Sequence, residues 1–213
     1  PPAITADTGR LVFFVSPLSS KGLLSQQVRD ALRALFGQTG SAPIVKLRAF
    51  VAGSGDTRRV QAIVSETFTA RRQPLPVLTV AQVGGLPSAG AQVVLEATAV
   101  SRRMVNPHGL AFLAAQSAGQ EGLPGRLAPL AARMLPKLRG ALAAAGLEGQ
   151  DVARMTCFLS SLEDVWDVRN LLAKDFPKAV YDMVQPERAP AHAAVSCELV
   201  ARLRSPAGGP LRL

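Results

Sequence analysis

Apolar and polar positions fall into short runs whose period switches between two and about 3.6. Leu11 to Val15 is an unbroken apolar run, too short for a helix and rich in β-formers, and reads as a buried strand. Leu24, Val28, Ala31, Leu32 and Leu35 recur at helical spacing, and that helix should stop near Gly37 to Gly40. Val45, Leu47, Ala49 and Val51 then alternate with Lys46, Arg48 and Phe50, the mark of a strand with one face in a core. Asp56 is placed to cap a second helix carrying Val60, Ile63, Val64 and Phe68, and strands follow at Val77 to Val83 and Gln92 to Val100. The order then starts again. It predicts a strand at Leu110 to Ala114, a helix from about Leu127 to Ala145 and a strand at Ala153 to Ser160. A helix from Leu162 to Phe176 and strands near Val180 to Gln185 and Ala194 to Ala201 complete it. Pro136 should kink the long helix, Asp164 should cap the one after it, and Trp166 reads as core or interface packing.

The second half repeats the first. Phe50/Phe158, Asp56/Asp164, Val60/Val168 and Phe68/Phe176 all keep one offset, 108 positions, through a strand, a turn and a helix. That period suits one small domain, so the chain reads as a tandem duplication. Expected boundaries are residues 1–101 for the first module, 102–203 for the second and 204–213 for a mobile tail. The expected fold class is α+β, each module a mixed β-sheet with two helices on one face. The other face also carries apolar residues, Phe50 and Phe158 among them, so the modules should pack sheet to sheet around a barrel-like centre.

Composition narrows the classes. With 213 residues, 48% of them hydrophobic, the chain can bury two cores, and no run approaches the roughly 18 apolar residues of a membrane span. A first residue of Pro implies something removed ahead of it, a tag or an export signal; the default compartment is cytoplasmic, exported in the second case. Cys157 and Cys197 lie in apolar strand patterns, where buried free thiols are favoured over a single disulfide, and no spacing suggests a metal site. The net charge of +9 is scattered and aromatic content is only 5%, which argues against a nucleic-acid partner.

Several features together resemble the RidA/YjgF family of reactive-intermediate deaminases, whose fold is chorismate-mutase-like. They are the Phe-rich first strand and its turn at Ser16, the strand–Asp–helix block ending in Phe, Val80, Val83, Leu86 and Pro87, and the terminal strands bearing Glu96 and Glu198. The resemblance implies module-interface clefts where an arginine holds a substrate carboxylate and a glutamate orients the attacking water. It also implies further association of two-module chains in trimer-type packing, with no cofactor. On that footing Glu96 and Glu198 are the candidate catalytic carboxylates, and Ser16, Leu78, Thr79, Gln116 and Arg188 the candidate binding residues. The family's Pro-Ala-Arg-Ser stretch is Pro76-Val77-Leu78-Thr79 here, and Pro177-Lys178-Ala179-Val180 in the second copy. Leu78 cannot grip a carboxylate, and Lys178 is no substitute for a planar guanidinium fork. Arg188 is a candidate replacement; His192 reads as a solvent-facing loop residue. Glu96 and Glu198 admit two readings, a water-orienting carboxylate or a cross-strand partner for an arginine such as Arg48 or Arg154. Two functions follow: binding of a small, carboxylate-bearing metabolite without catalysis, or imine/enamine deamination on an altered substrate.

Overall fold

The computed structural model describes residues 1–121, 125–186 and 193–207. Its elements follow the predicted order: β1 (Leu11–Val15), α1 (Leu24–Thr39), β2 (Ile44–Ala52), α2 (Thr57–Ala70), β3 (Val77–Val83) and β4 (Val93–Val100), then β5 (Leu110–Gln120), α3 (Leu127–Ala144), β6 (Val152–Leu159), α4 (Val165–Asp175), β7 (Val180–Val184) and β8 (Ala193–Arg202). Each half forms one four-stranded mixed sheet, ordered β1-β4-β2-β3 and β5-β8-β6-β7. In both, the last strand pairs antiparallel with two neighbours, and the strand after the second helix joins parallel at the edge.

Each sheet buries one face under its helices. Val28, Leu32, Leu35, Val60, Ile63 and Phe68 pack on Leu47, Ala49, Val51, Leu95 and Ala97 in the first module. Leu130, Met134, Leu138, Val168, Leu172 and Phe176 pack on Met155, Leu159, Val195 and Leu199 in the second. α1 ends at Gly40, whose φ of 59° lies in the left-handed region that glycine enters without strain. α3 continues through Pro136, the expected kink site, to Ala144.

Three expectations change. Asp56 caps α2 by accepting from the N–H groups of Arg58 and Arg59, but Asp164 does not cap its own helix. Its carboxylate accepts instead from the N–H groups of Leu127 and Ala128 at 2.8 and 3.3 Å, and so caps α3. Cys157 and Cys197 are not free thiols. They are direct partners across β6 and β8 and form a disulfide inside the second core. Arg204, where the tail was expected to begin, is tied at 2.8 Å to both Glu148 and Asp151.

A third apolar cluster belongs to both modules. Phe50, Val83, Leu86 and Val94 meet Val184 and Phe158 between the two sheets. The backbones also join: Gly84 N–H donates to the Gln185 carbonyl at 2.8 Å, and Gln185 N–H to the Gly85 carbonyl at 3.1 Å. On the connecting segment, buried Asn106 donates to the carbonyls of Thr8 and Leu11, holding the crossover against the first module.

Candidate functional site

On the faces turned away from the helices, strand register stacks side chains in layers. Phe50 pairs with Val94, and Phe158 with Val184, which gives the apolar layer. Two residues along, Arg48 pairs with Glu96, and Thr156 with both Asp182 and Glu198, which gives a polar layer. Next come Lys46 beside Thr98 and Arg154 beside Val200.

Glu96 is the centre of the polar layer. Only 4% of it is exposed, and it takes a cation from each module: Arg48 at 3.3 Å, and Arg154 in direct contact. Thr156 donates to the same carboxylate at 3.4 Å and accepts from Arg154 at 3.1 Å. Of the two readings of Glu96, the structure therefore supplies the arginine partnership, with one partner drawn from across the module interface.

Asp182, equally buried, faces Glu96. Burial pushes its carboxyl pKa well above the usual range, and the neighbouring Glu96 charge adds to the shift; Arg154 and Arg48 oppose it only in part.

Asp182 also forms part of the floor of a cleft of about 430 Å³ between the modules. The first module contributes Ser16, Pro17, Leu18, Pro87 and Ser88, and the second Trp166, Arg169, Tyr181 and Met183. Ser16 is fixed against β4: its Oγ accepts from Leu95 N–H at 3.0 Å, which leaves the hydroxyl proton free to donate. Trp166 and Arg169 stand one helical turn apart on α4. The Arg169 guanidinium lies 5.7 Å from the Trp166 ring centre and 5.8 Å from that of Tyr181. Tyr181 donates its hydroxyl to the Phe176 carbonyl, and burial raises its pKa.

The expected site residues divide. Ser16 lines this cleft, and Glu96 lies behind it, in contact with Asp182. Glu198 lines a second cleft, of about 370 Å³, on the inner sheet faces. Gln116 sits beyond a register shift in β5, donating to the Ala114 carbonyl. Leu78 packs toward the helix-side core, and Thr79 is exposed on edge strand β3; neither lines the first cleft. Pairing register also makes Tyr181 the counterpart of Leu78, rather than Ala179 or Lys178, and Asp182 the counterpart of Thr79. Arg188 and His192 lie outside the described residues.

Asp182, Arg169 and Tyr181 are not among the site residues expected from the sequence, and Trp166, expected in core or interface packing, lines the cleft between the modules with 53% of it exposed. The signal for Asp182 was present: a lone carboxylate between Val180 and Val184 on a strand, the same pattern that drew attention to Glu96. Arg169 carried no such signal, because nothing in a helix sequence says which neighbouring module a side chain will meet.

Parts of the chain are similar to several solved structures. Over 47% of its length the chain is similar to the E. coli TdcF structure with bound serine, covering 91% of that chain at 21% identity and a TM-score of 0.38. The E. coli YjgF gene product matches over 48% of this chain and 93% of its own, at 25% identity and a TM-score of 0.38. A Mycobacterium tuberculosis member of the YjgF/YER057c/UK114 family matches over 73% and 99%, at 19% identity and a TM-score of 0.38. These are likenesses of fold. No family model matches the chain, and no curated protein matches it. Among the described residues, no helix is long and apolar enough to cross a membrane.

Proposed function

We propose that the chain binds a small carboxylate-bearing metabolite in the first cleft, with Arg169 as the carboxylate anchor. The observation that carries this is Arg169 at the cleft wall, set between two aromatic rings and free of any ion pair among the described residues. A guanidinium so placed offers a planar pair of donors to a carboxylate. Pro17, Leu18, Pro87 and Trp166 would flank the ligand's apolar part, and Ser16 would donate to its polar end.

Titration of the intact chain with serine, 2-oxo acids and their reduced analogues, followed by calorimetry, tests this reading. Binding of at least one carboxylate is expected, with loss of about tenfold or more in Arg169→Ala. Equal affinity in the variant would remove Arg169 from the role.

A second reading rests on the facing carboxyls of Glu96 and Asp182. Glu96 is ion-paired with two arginines, and its Oε2 is buried without a hydrogen-bond partner, which weakens it as a base for water. Asp182 lines the cleft with a carboxyl pKa raised by burial and is the better general acid, so imine or enamine hydrolysis would run through it. The binding reading expects no acceleration of 2-iminopropanoate hydrolysis in a coupled assay. A rate enhancement lost in Asp182→Asn would establish the hydrolase instead.

A further inference from the structure

The second cleft lies on the opposite side of the polar layer from the first, between the inner faces of the two sheets. We propose that it is a separate site for an amphiphilic monoanion, a carboxylate on an apolar chain. Lys46 and Arg48 enter it from β2 and Arg154 from β6; Glu198 stands opposite, and Phe13 and Phe112 form apolar walls.

Charge is the first argument. Arg48 and Arg154 share Glu96 beneath them, whereas Lys46 makes no ion pair among the described residues, and Glu198 is the one carboxylate in the cleft lining. Cations thus outnumber carboxylates in a lining with low-dielectric walls, where an anion is drawn more strongly than at an open surface. Hydrogen bonding is the second. Arg154 makes its contacts to Glu96 and Thr156 through one terminal nitrogen, and its buried Nε has no acceptor. Buried donors are rarely left unmet, and a ligand oxygen would satisfy this one once the Arg154 side chain turns toward the cleft.

The walls specify the rest of the ligand. Phe112 is 70% exposed although it pairs with Val200 of β8. A large ring left to water beside a surplus cation suits an apolar chain ending in one negative group. A bare inorganic anion would leave that ring uncovered, and an apolar cation would meet the wrong charge.

The intact chain titrated with octanoate tests the proposal, with inorganic phosphate and octylammonium as the bare-anion and reversed-charge probes. Titrations are run in the parent and in Arg169→Ala, which silences the first cleft. Octanoate should bind in both backgrounds, with phosphate much weaker and octylammonium weaker still. Lys46→Glu should lower octanoate affinity about tenfold or more, and Phe112→Ser several-fold. Both positions are exposed, and circular dichroism checks that the variants fold.

Binding that is lost in Arg169→Ala but kept in Lys46→Glu would put octanoate in the first cleft and overturn the proposal. So would no binding at all, phosphate binding as tightly as octanoate, or octylammonium binding equally well. Sedimentation showing Phe112 covered by a second copy, in a chain that does not bind octanoate, would also overturn it.

Discussion

Arg154→Met is the perturbation that most directly probes how the modules are joined. Arg154 belongs to β6 and Glu96 to β4, so the substitution removes the second module's cation from a carboxylate that is 4% exposed. Two unit charges 4 Å apart at an effective dielectric of 20 attract by about 4 kcal/mol. Removing one partner of a buried pair typically costs 3–5 kcal/mol, because the remaining charge stays desolvated. Arg48 still holds Glu96 at 3.3 Å, which places the expected loss at the low end, about 3 kcal/mol. Urea unfolding at pH 7, extrapolated linearly, measures it. The double variant Arg154→Met/Glu96→Leu removes the stranded charge and should recover to within about 1.5 kcal/mol of the parent. A single-variant loss under about 1 kcal/mol would refute the reasoning, as would a double variant no more stable than the single.

Three further outcomes are expected. Asp182 has a raised folded-state pKa, so its contribution to stability is complete below its ordinary value of 3.8 and is lost as pH rises through the folded value. Asp182→Asn should therefore gain on the parent as pH rises above 3.8; a gap that stays constant with pH would contradict the shift. Unfolded, unreduced protein should titrate no free thiol, and Cys157→Ala/Cys197→Ala should lose about 4 kcal/mol for a loop closed across 40 residues. Two reactive thiols in that assay would sink the disulfide. Asp164→Ala should cost about 1 kcal/mol and raise amide exchange at Leu127 and Ala128 rather than in α4; enhanced exchange at the start of α4 instead would disprove the cross-helix cap.

What could be seen in the sequence was whatever periodicity controls. The limits of β1 and β3, the start of α1 and the Asp56 cap emerge where the pattern puts them, because one face of each element must be buried. The apolar inner faces of Phe50 and Phe158 foretold sheet-to-sheet packing, and the shared cluster provides it. Three-dimensional partnership was less visible. Asp164 occupies a capping position in sequence, yet the nearest unsatisfied N–H groups belong to α3, 36 and 37 residues away in the chain. Cys157 and Cys197 looked like two ordinary strand residues until the register set them opposite each other. Likewise the first cleft takes Ser16 from one half and Arg169 from the other, a meeting that no spacing encodes.

Lys46 and Arg154 occupy matching places in the two halves, as do Arg48 and Thr156, yet the residue types differ. In a ring of identical subunits each substitution is copied into every interface, so a change that suits one contact must suit all of them. Fusion into a single polypeptide lifts that constraint. One junction can specialise, with two guanidinium groups converging on Glu96 while Glu198 faces different company, and the two halves can then evolve as distinct parts.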